Sequence, residues 1–210
     1  MNLTILMGVT LVILIWSGMA FGQSMYSMRN IQSMTFQIPE FGFLALAMML
    51  SNMIGGIDLS IIANANTVAI LTAYVLNGQW SFGTEGAARV VLALIFAVLC
   101  SLLFGLFNGL VISKTSAPSL IATLGTMTLF QGIGMAVTGG ASVGGIEEKF
   151  AQIGKSTILN LPVIFWLFIL ASVILGLVMS YSGFGRKLYL YGDNPVAARF
   201  SAIHNEGICI

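Results

Sequence analysis

Asp58 is the only charged residue between Phe41 and Thr84, and it stands in the segment Gly55-Gly56-Ile57-Asp58-Leu59-Ser60, between two apolar runs. A carboxylate at membrane depth costs about 2.5–3.5 kcal/mol on insertion scales, so one that is kept faces a cavity, an ion path or a polar partner. Two adjacent glycines each weaken a helix by about 1 kcal/mol relative to alanine. Gly55 and Gly56 therefore mark a helix break. Two compatible readings follow. In one, broken helix ends line a cavity and turn their backbone dipoles toward a solute. In the other, the segment is a tight interfacial turn in which Asp58 caps the following helix.

Three polar stripes accompany the break. Ser60, Asn64, Thr67 and Tyr74 recur at helical spacing after it, as do Ser101, Gly105 and Asn108, and then Ser119, Thr123, Thr126 and Gly134. Gly105 and Gly109 also form a GxxxG pair. Any one stripe is explained by helix packing, where small and weakly polar residues let backbones approach and hydrogen-bond. Together they suggest a polar seam suited to a neutral hydroxylated solute. The candidates for lining such a path are Asp58, Ser60, Asn64, Thr67, Asn108, Thr123 and Thr126.

No residue is assigned to catalysis. His204 is the one histidine and lies in a polar tail. No Walker-type phosphate loop is present, so any nucleotide hydrolysis is expected on another chain. Cys100 and Cys209 have no metal-ligand spacing and are not expected to pair. Neither a metal nor a cofactor is expected, and a net charge of +1 points to no nucleic-acid partner.

The elements that carry these residues are membrane spans. Hydrophobic residues make up 58% of the chain and charged residues 7%, against about 25% charged in a soluble domain. Six apolar runs follow: Leu3–Phe21, Glu40–Ile54, Leu59–Leu76, Ala88–Ser113, Pro118–Thr138 and Leu161–Tyr181. Lengths near 20 residues suit a hydrocarbon core of about 30 Å. Backbone groups in lipid must be satisfied within their own segment, and the runs are too uniformly apolar for barrel strands. The expected fold is an all-α, polytopic membrane helical bundle of about six transmembrane segments, broken between the second and third. Pro39, Pro118 and Pro162 are read as helix starts; Gly22, Gly55, Gly78, Gly139 and Gly183 are read as ends. The first run lacks a preceding basic residue and is expected to remain as an uncleaved span. Lys114, Arg186, Lys187 and Arg199 fall on one side and Arg29, Arg89, Lys149 and Lys155 on the other, a tie under the positive-inside rule. Arg186, Lys187 and Arg199 cluster in one tail, so that tail and the N-terminus are expected in the cytoplasm.

The tail carries a second signal. Asp193-Asn194-Pro195 reads as a capped helix start. Pro195–Ile203 would then form a short amphipathic helix with Val196, Phe200 and Ile203 on one side. Such an element either docks into a protein groove or lies on the lipid surface.

Four motifs together resemble a family. They are Ile54-Gly55-Gly56-Ile57-Asp58-Leu59-Ser60, Phe107-Asn108-Gly109-Leu110-Val111-Ile112, the run Pro118 to Met127, and Phe184-Gly185-Arg186 leading to Tyr191-Gly192-Asp193-Asn194-Pro195-Val196-Ala197-Ala198-Arg199. In order and spacing they are similar to the bacterial ABC-importer permeases for simple sugars, the ribose type. The resemblance implies a multi-pass inner-membrane subunit for monosaccharides or related small solutes. It implies a cytoplasmic ABC ATPase, a second permease subunit, and a periplasmic or lipid-anchored sugar-binding protein as partners. It also assigns the 184–203 segment to a cytoplasmic coupling loop, with Gly192, Asn194, Pro195, Ala197, Ala198, Arg199 and Phe200 as ATPase contacts. Residues 1–210 would form one permease domain, the N-terminal two-thirds of the family's. Ile61-Ile62-Ala63-Asn64 stands where the family usually has Val-Gly-Ser, and the family continues into further spans after the tail, so an incomplete permease is expected. The alternatives are a self-contained ion-coupled transporter or channel built on Asp58, and a truncated permease without activity.

Overall fold

The computed structural model describes residues 3–80, 82–115 and 118–194. Its helices are α1 (Leu3–Phe21), α2 (Met28–Met53), α3 (Ser60–Leu76), α4 (Gly86–Lys114), α5 (Ser119–Thr138), α6 (Glu148–Lys155), α7 (Val163–Tyr181) and α8 (Gly183–Asp193). A 3-10 turn at Gly22–Ser24 follows α1, and a two-residue antiparallel hairpin, β1 (Thr157–Ile158) with β2 (Leu161–Pro162), precedes α7. Among the described residues, α1, α2, α4, α5 and α7 are long and apolar enough to cross a membrane. The shorter α3 has 17 residues, about 26 Å at 1.5 Å per residue. Six apolar helices thus occupy the six runs, and the chain is a polytopic helical membrane protein.

Three boundaries differ from expectation. Pro39 does not start a helix; it lies buried inside α2, which begins eleven residues earlier at Met28 behind the Ser27 cap. Apolarity marked only the stretch that meets lipid. Gln32 Nε2 donates to Asn160 O at 3.3 Å, and the Phe43 and Phe168 rings meet edge to face at 5.5 Å. Glu40 therefore lies near the level of Trp166, at the start of α7, and the preceding turns of α2 rise past it alongside the hairpin. Gly22, Gly55, Gly78 and Gly139 have positive φ as helix-end glycines do, but Gly183 opens α8 with ordinary φ. Finally, a helix not expected from the sequence, α8, runs from Gly183 to Asp193. The proposed docking helix, with Pro195, Ala197, Ala198, Arg199 and Phe200, lies outside the described residues.

The bundle has two packed groups. α3 lies between α4 and α5, whereas α2 packs on α7 with α8 folded beneath them. α3 and α5 run parallel in a repeating register. Thr67 Oγ1 donates to Phe130 O and Tyr74 OH to Val137 O, both at 2.8 Å and both across 63 residues of sequence. Contacts that recur every seven residues keep one seam of each helix facing the other. Gly134 serves that approach, because a Cβ there would come within 3.2 Å of Ile70 Cδ1. Val75, Leu76, Val90 and Ala93 close the core at the far end. There Arg89 Nη1 pairs with Glu147 at 3.3 Å, and Asn77 Nδ2 reaches Gly144 O at 3.4 Å.

These contacts fix sidedness. The 77–85 loop, the 139–162 connection and the start of α2 share one face of the bundle. The Gly55–Leu59 break, the turn after Lys114 and α8 share the other. In a variant without native cysteines, Ser142→Cys and Tyr189→Cys should react with an impermeant thiol reagent from opposite sides of the membrane. With the basic tail in the cytoplasm, Ser142→Cys is the one labelled from outside intact cells. Labelling of both from one side would overturn the helix order across the bilayer.

Candidate functional site

Backbone geometry at the break follows from its residues. Ile54 closes α2; Gly55 takes φ +76°, a left-handed conformation that costs glycine nothing. Gly56 N–H then donates to Ser51 O at 3.2 Å and Gly55 N–H to Asn52 O at 3.0 Å. This pair of bonds is the Schellman closure of a helix end. Ser51 Oγ adds a bond to Gly56 O at 3.0 Å. Four residues after Gly56 the chain enters α3 at Ser60, and Asp58 Oδ1 accepts from Ser60 N–H at 2.8 Å. The segment is therefore both a break and a capped start.

A hydrogen-bond network ties the break to α4 and α5. Asp58 Oδ1 also accepts from Ser60 Oγ at 2.6 Å, and Asp58 Oδ2 accepts from Asn108 Nδ2 at 3.0 Å. Asn108 Nδ2 reaches Ser60 Oγ at 3.0 Å as well, while Asn108 Oδ1 accepts from Thr126 Oγ1 at 2.7 Å. Both carboxylate oxygens are thus held by donors, which offsets much of the cost of placing the charge at depth. α5 reads the linker backbone instead: Thr123 Oγ1 accepts from Leu59 N–H at 3.2 Å and donates to Ile57 O at 3.1 Å. Ser119 Oγ accepts from Ile57 N–H at 3.3 Å. Thr123 is fully buried and Asn108 is 5% exposed.

Between the two helix groups lies a cavity of about 490 Å³, walled by α2, α3, α4 and α8. Asp58, Asn64, Ser51 and Asn108 supply its polar wall; Phe43, Phe184 and Leu188 are among its apolar lining. Asn64 Oδ1 is buried there without a hydrogen-bond partner among the described residues. The floor is α8, which turns back beneath α7 because Ser182 Oγ caps it by accepting from Gly185 N–H at 3.1 Å. Gly185 and Gly192 allow this close fold. A Cβ on Gly185 would overlap the Met179 carbonyl, and one on Gly192 the carbonyl oxygen of Met53, the last residue of α2.

Residues 30–210 match the model of a family described as branched-chain amino acid transport system / permease component. The chain belongs to this permease family. Its family and its apolar helices make it a multi-pass protein of the bacterial inner membrane. Among curated relatives, the autoinducer 2 import system permease protein LsrD of Enterobacter sp. (strain 638) is 33% identical over 94% of the chain and 61% of that relative. Klebsiella pneumoniae LsrD is 32% identical over 94% of the chain and 60% of that relative. The permease protein LsrC of Escherichia coli (strain K12 / DH10B) is 30% identical over 80% of the chain and 46% of that relative. The chain therefore spans less than two thirds of these relatives' length. No solved structure matches it.

Within this permease, the seven path candidates separate. Asp58, Ser60, Asn108, Thr123 and Thr126 meet in one network, and Thr67 is spent on the α3–α5 seam. Asp58, Asn64 and Asn108 line the cavity. Gly105 has nothing within 4 Å of an added Cβ, whereas Gly109 is buried, and both line the cavity. Ser51 was not a candidate. One serine inside an apolar run carries no signal until the chain turns back onto it.

Removing the Asn108 amide leaves Asp58 Oδ2 without its donor on α4. Asn108→Leu should lower stability by about 2–4 kcal/mol, read as a drop in melting temperature in detergent. With Asp58→Asn already present the penalty should shrink, giving a coupling of about 0.5–3 kcal/mol in a double-mutant cycle. Strictly additive losses would show that the two side chains do not act together.

Proposed function

We propose that this permease is the membrane-spanning subunit of an ATP-driven importer for monosaccharides or related small hydroxylated solutes. The observation that carries the reading is the state of Asp58. Its charge is committed to Ser60 and Asn108, so it serves to shape a helix break rather than to carry a coupling ion. That favours an energy source outside this chain, and ATP hydrolysis is assigned to a separate cytoplasmic ABC ATPase. Autoinducer 2, named for the relatives, is the first solute to test. LsrC and LsrD are both named permease proteins of an autoinducer 2 import system, which supports a second permease chain beside this one. A periplasmic or lipid-anchored binding protein would deliver the solute.

The coupling segment is assigned to Gly192, Asn194, Pro195, Ala197, Ala198, Arg199 and Phe200. Support comes from α8, whose Gly192 rests on the end of α2. A push on the tail would reach the Gly55–Asp58 break through that backbone contact, and through it the network on α4 and α5. Asp58, Ser60, Asn64, Thr67, Asn108, Thr123 and Thr126 then act as the polar interior that the motion rearranges.

Two experiments in the full-length permease, reconstituted with ATPase and binding protein, test this. Asp58→Asn should keep part of the ATP-dependent uptake because its amide oxygen still caps α3, whereas Asp58→Leu should abolish it. Uptake that follows an ion gradient, needs no ATP and is lost in both variants would sink the importer reading. Phe200→Ala should weaken ATPase association by about 1–3 kcal/mol as a lost aromatic anchor. Unchanged co-purification of the ATPase would remove Phe200 from the contact.

A further inference from the structure

The cavity between the two helix groups holds an amide that the fold leaves unused. Asn64 Oδ1 is buried on its wall without a hydrogen-bond partner among the described residues, and Asn64 Nδ2 has none among them either. A buried carbonyl left bare carries the full cost of its lost hydration. Asn64 lies four residues after Ser60, the first of α3, about 6 Å beyond the break at 1.5 Å per residue. Another wall, α4, withdraws from the space: Gly105 lines it, and an added Cβ there would meet nothing within 4 Å. At about 490 Å³ the cavity has the size of a small-molecule site, roughly 300–1,000 Å³. A spanning helix about 10 Å across and 30 Å long fills roughly 2,400 Å³. A further span can therefore cover the mouth of this cavity but cannot lie in it.

We infer that this cavity is a binding chamber, built within a single permease chain, for one neutral hydroxyl-rich solute of monosaccharide size held by the Asn64 amide. This rests on the importer reading above. The wall chemistry selects the class. Ser51 Oγ donates its proton to Gly56 O and Ser101 Oγ donates to Val98 O, so both hydroxyl oxygens remain as acceptors. With Asn64 Oδ1 they offer a solute three acceptors, and Asn64 Nδ2 donates in return. A hydroxyl is donor and acceptor at once and answers both halves of the amide. Phe43 and Phe184 supply the apolar faces that such sites also use. Among the described residues no Lys, Arg or His lines the cavity. The carboxylate of an amino acid, or a phosphate, would lose its hydration there without a counter-charge. Asp58 shares the wall, but Ser60 and Asn108 already hold its oxygens, so it does not call for a cation.

The test is solute protection of a thiol in the full-length permease, assembled with its ATPase in nanodiscs and freed of native cysteines. Gly105→Cys should react with a small thiol reagent. D-ribose, D-glucose or autoinducer 2 should slow that reaction, whereas L-leucine and choline should not. A thiol that does not react, no protection by any of the three solutes, or protection by L-leucine or choline would each overturn the assignment. Asn64→Leu in the same background should weaken the protection about tenfold, the worth of one hydrogen bond. Its melting temperature without solute should stay level or rise, because no bond within the protein is lost. A fall would show the amide bonded to a further span or to a second chain, and would overturn the chamber, as would unchanged protection. ATP-dependent uptake of the same solutes is measured in liposomes with the binding protein present. ATP-dependent uptake without protection rejects the chamber alone, whereas uptake without ATP rejects the importer reading.

Discussion

A carboxylate buried part-way into an apolar bundle has to be hydrogen-bonded, and the arrangement of three helices follows from how Asp58 meets that demand. Its oxygens accept from the backbone N–H and hydroxyl of Ser60 and from the amide of Asn108. Ser60 must then begin α3, Asn108 must face it from α4, and Thr126 must complete Asn108 from α5. A side chain that costs energy in lipid thereby specifies one packing. The apolar core alone would tolerate several, since aliphatic contacts carry little directional information.

The seam between α3 and α5 extends that specification along their length. Each contact is a side-chain hydroxyl on a backbone carbonyl, so it needs no matched residue on the other helix. It needs only the correct rotation and a small residue at the crossing, which Gly134 supplies. The groups α3–α4–α5 and α2–α7–α8 are consequently different materials. The first is stitched by polar bonds; the second is held by aromatic and aliphatic contacts such as Phe43 on Phe168.

Much of this was legible in the sequence. The six runs, the break at Gly55 and Gly56, and the polar stripes all reflect local chemistry: hydropathy, backbone freedom and helical spacing. What could not be read were features that depend on a distant chain segment. Pro39 looked like a helix start because the turns before it are polar, yet Ser27 caps a helix that runs through it. The stripes follow single helices, but the bonds run between elements: Thr67 serves the α3–α5 seam, and Thr123 holds the linker before α3. The family resemblance, carried by four short motifs, agrees with the match over residues 30–210.

Gly192 of α8 meets the end of α2 with no side chain between them. Most helix contacts have slack, because rotamers shift by a fraction of an ångström before a neighbour feels the load. Here the Cα of Gly192 faces the Met53 carbonyl directly, and peptide planes do not bend to absorb a displacement. The joint therefore behaves as a bearing rather than a spring. α8 can roll or slide across it, but α8 cannot approach α2 further without moving it, and no other residue type at position 192 would keep that tolerance.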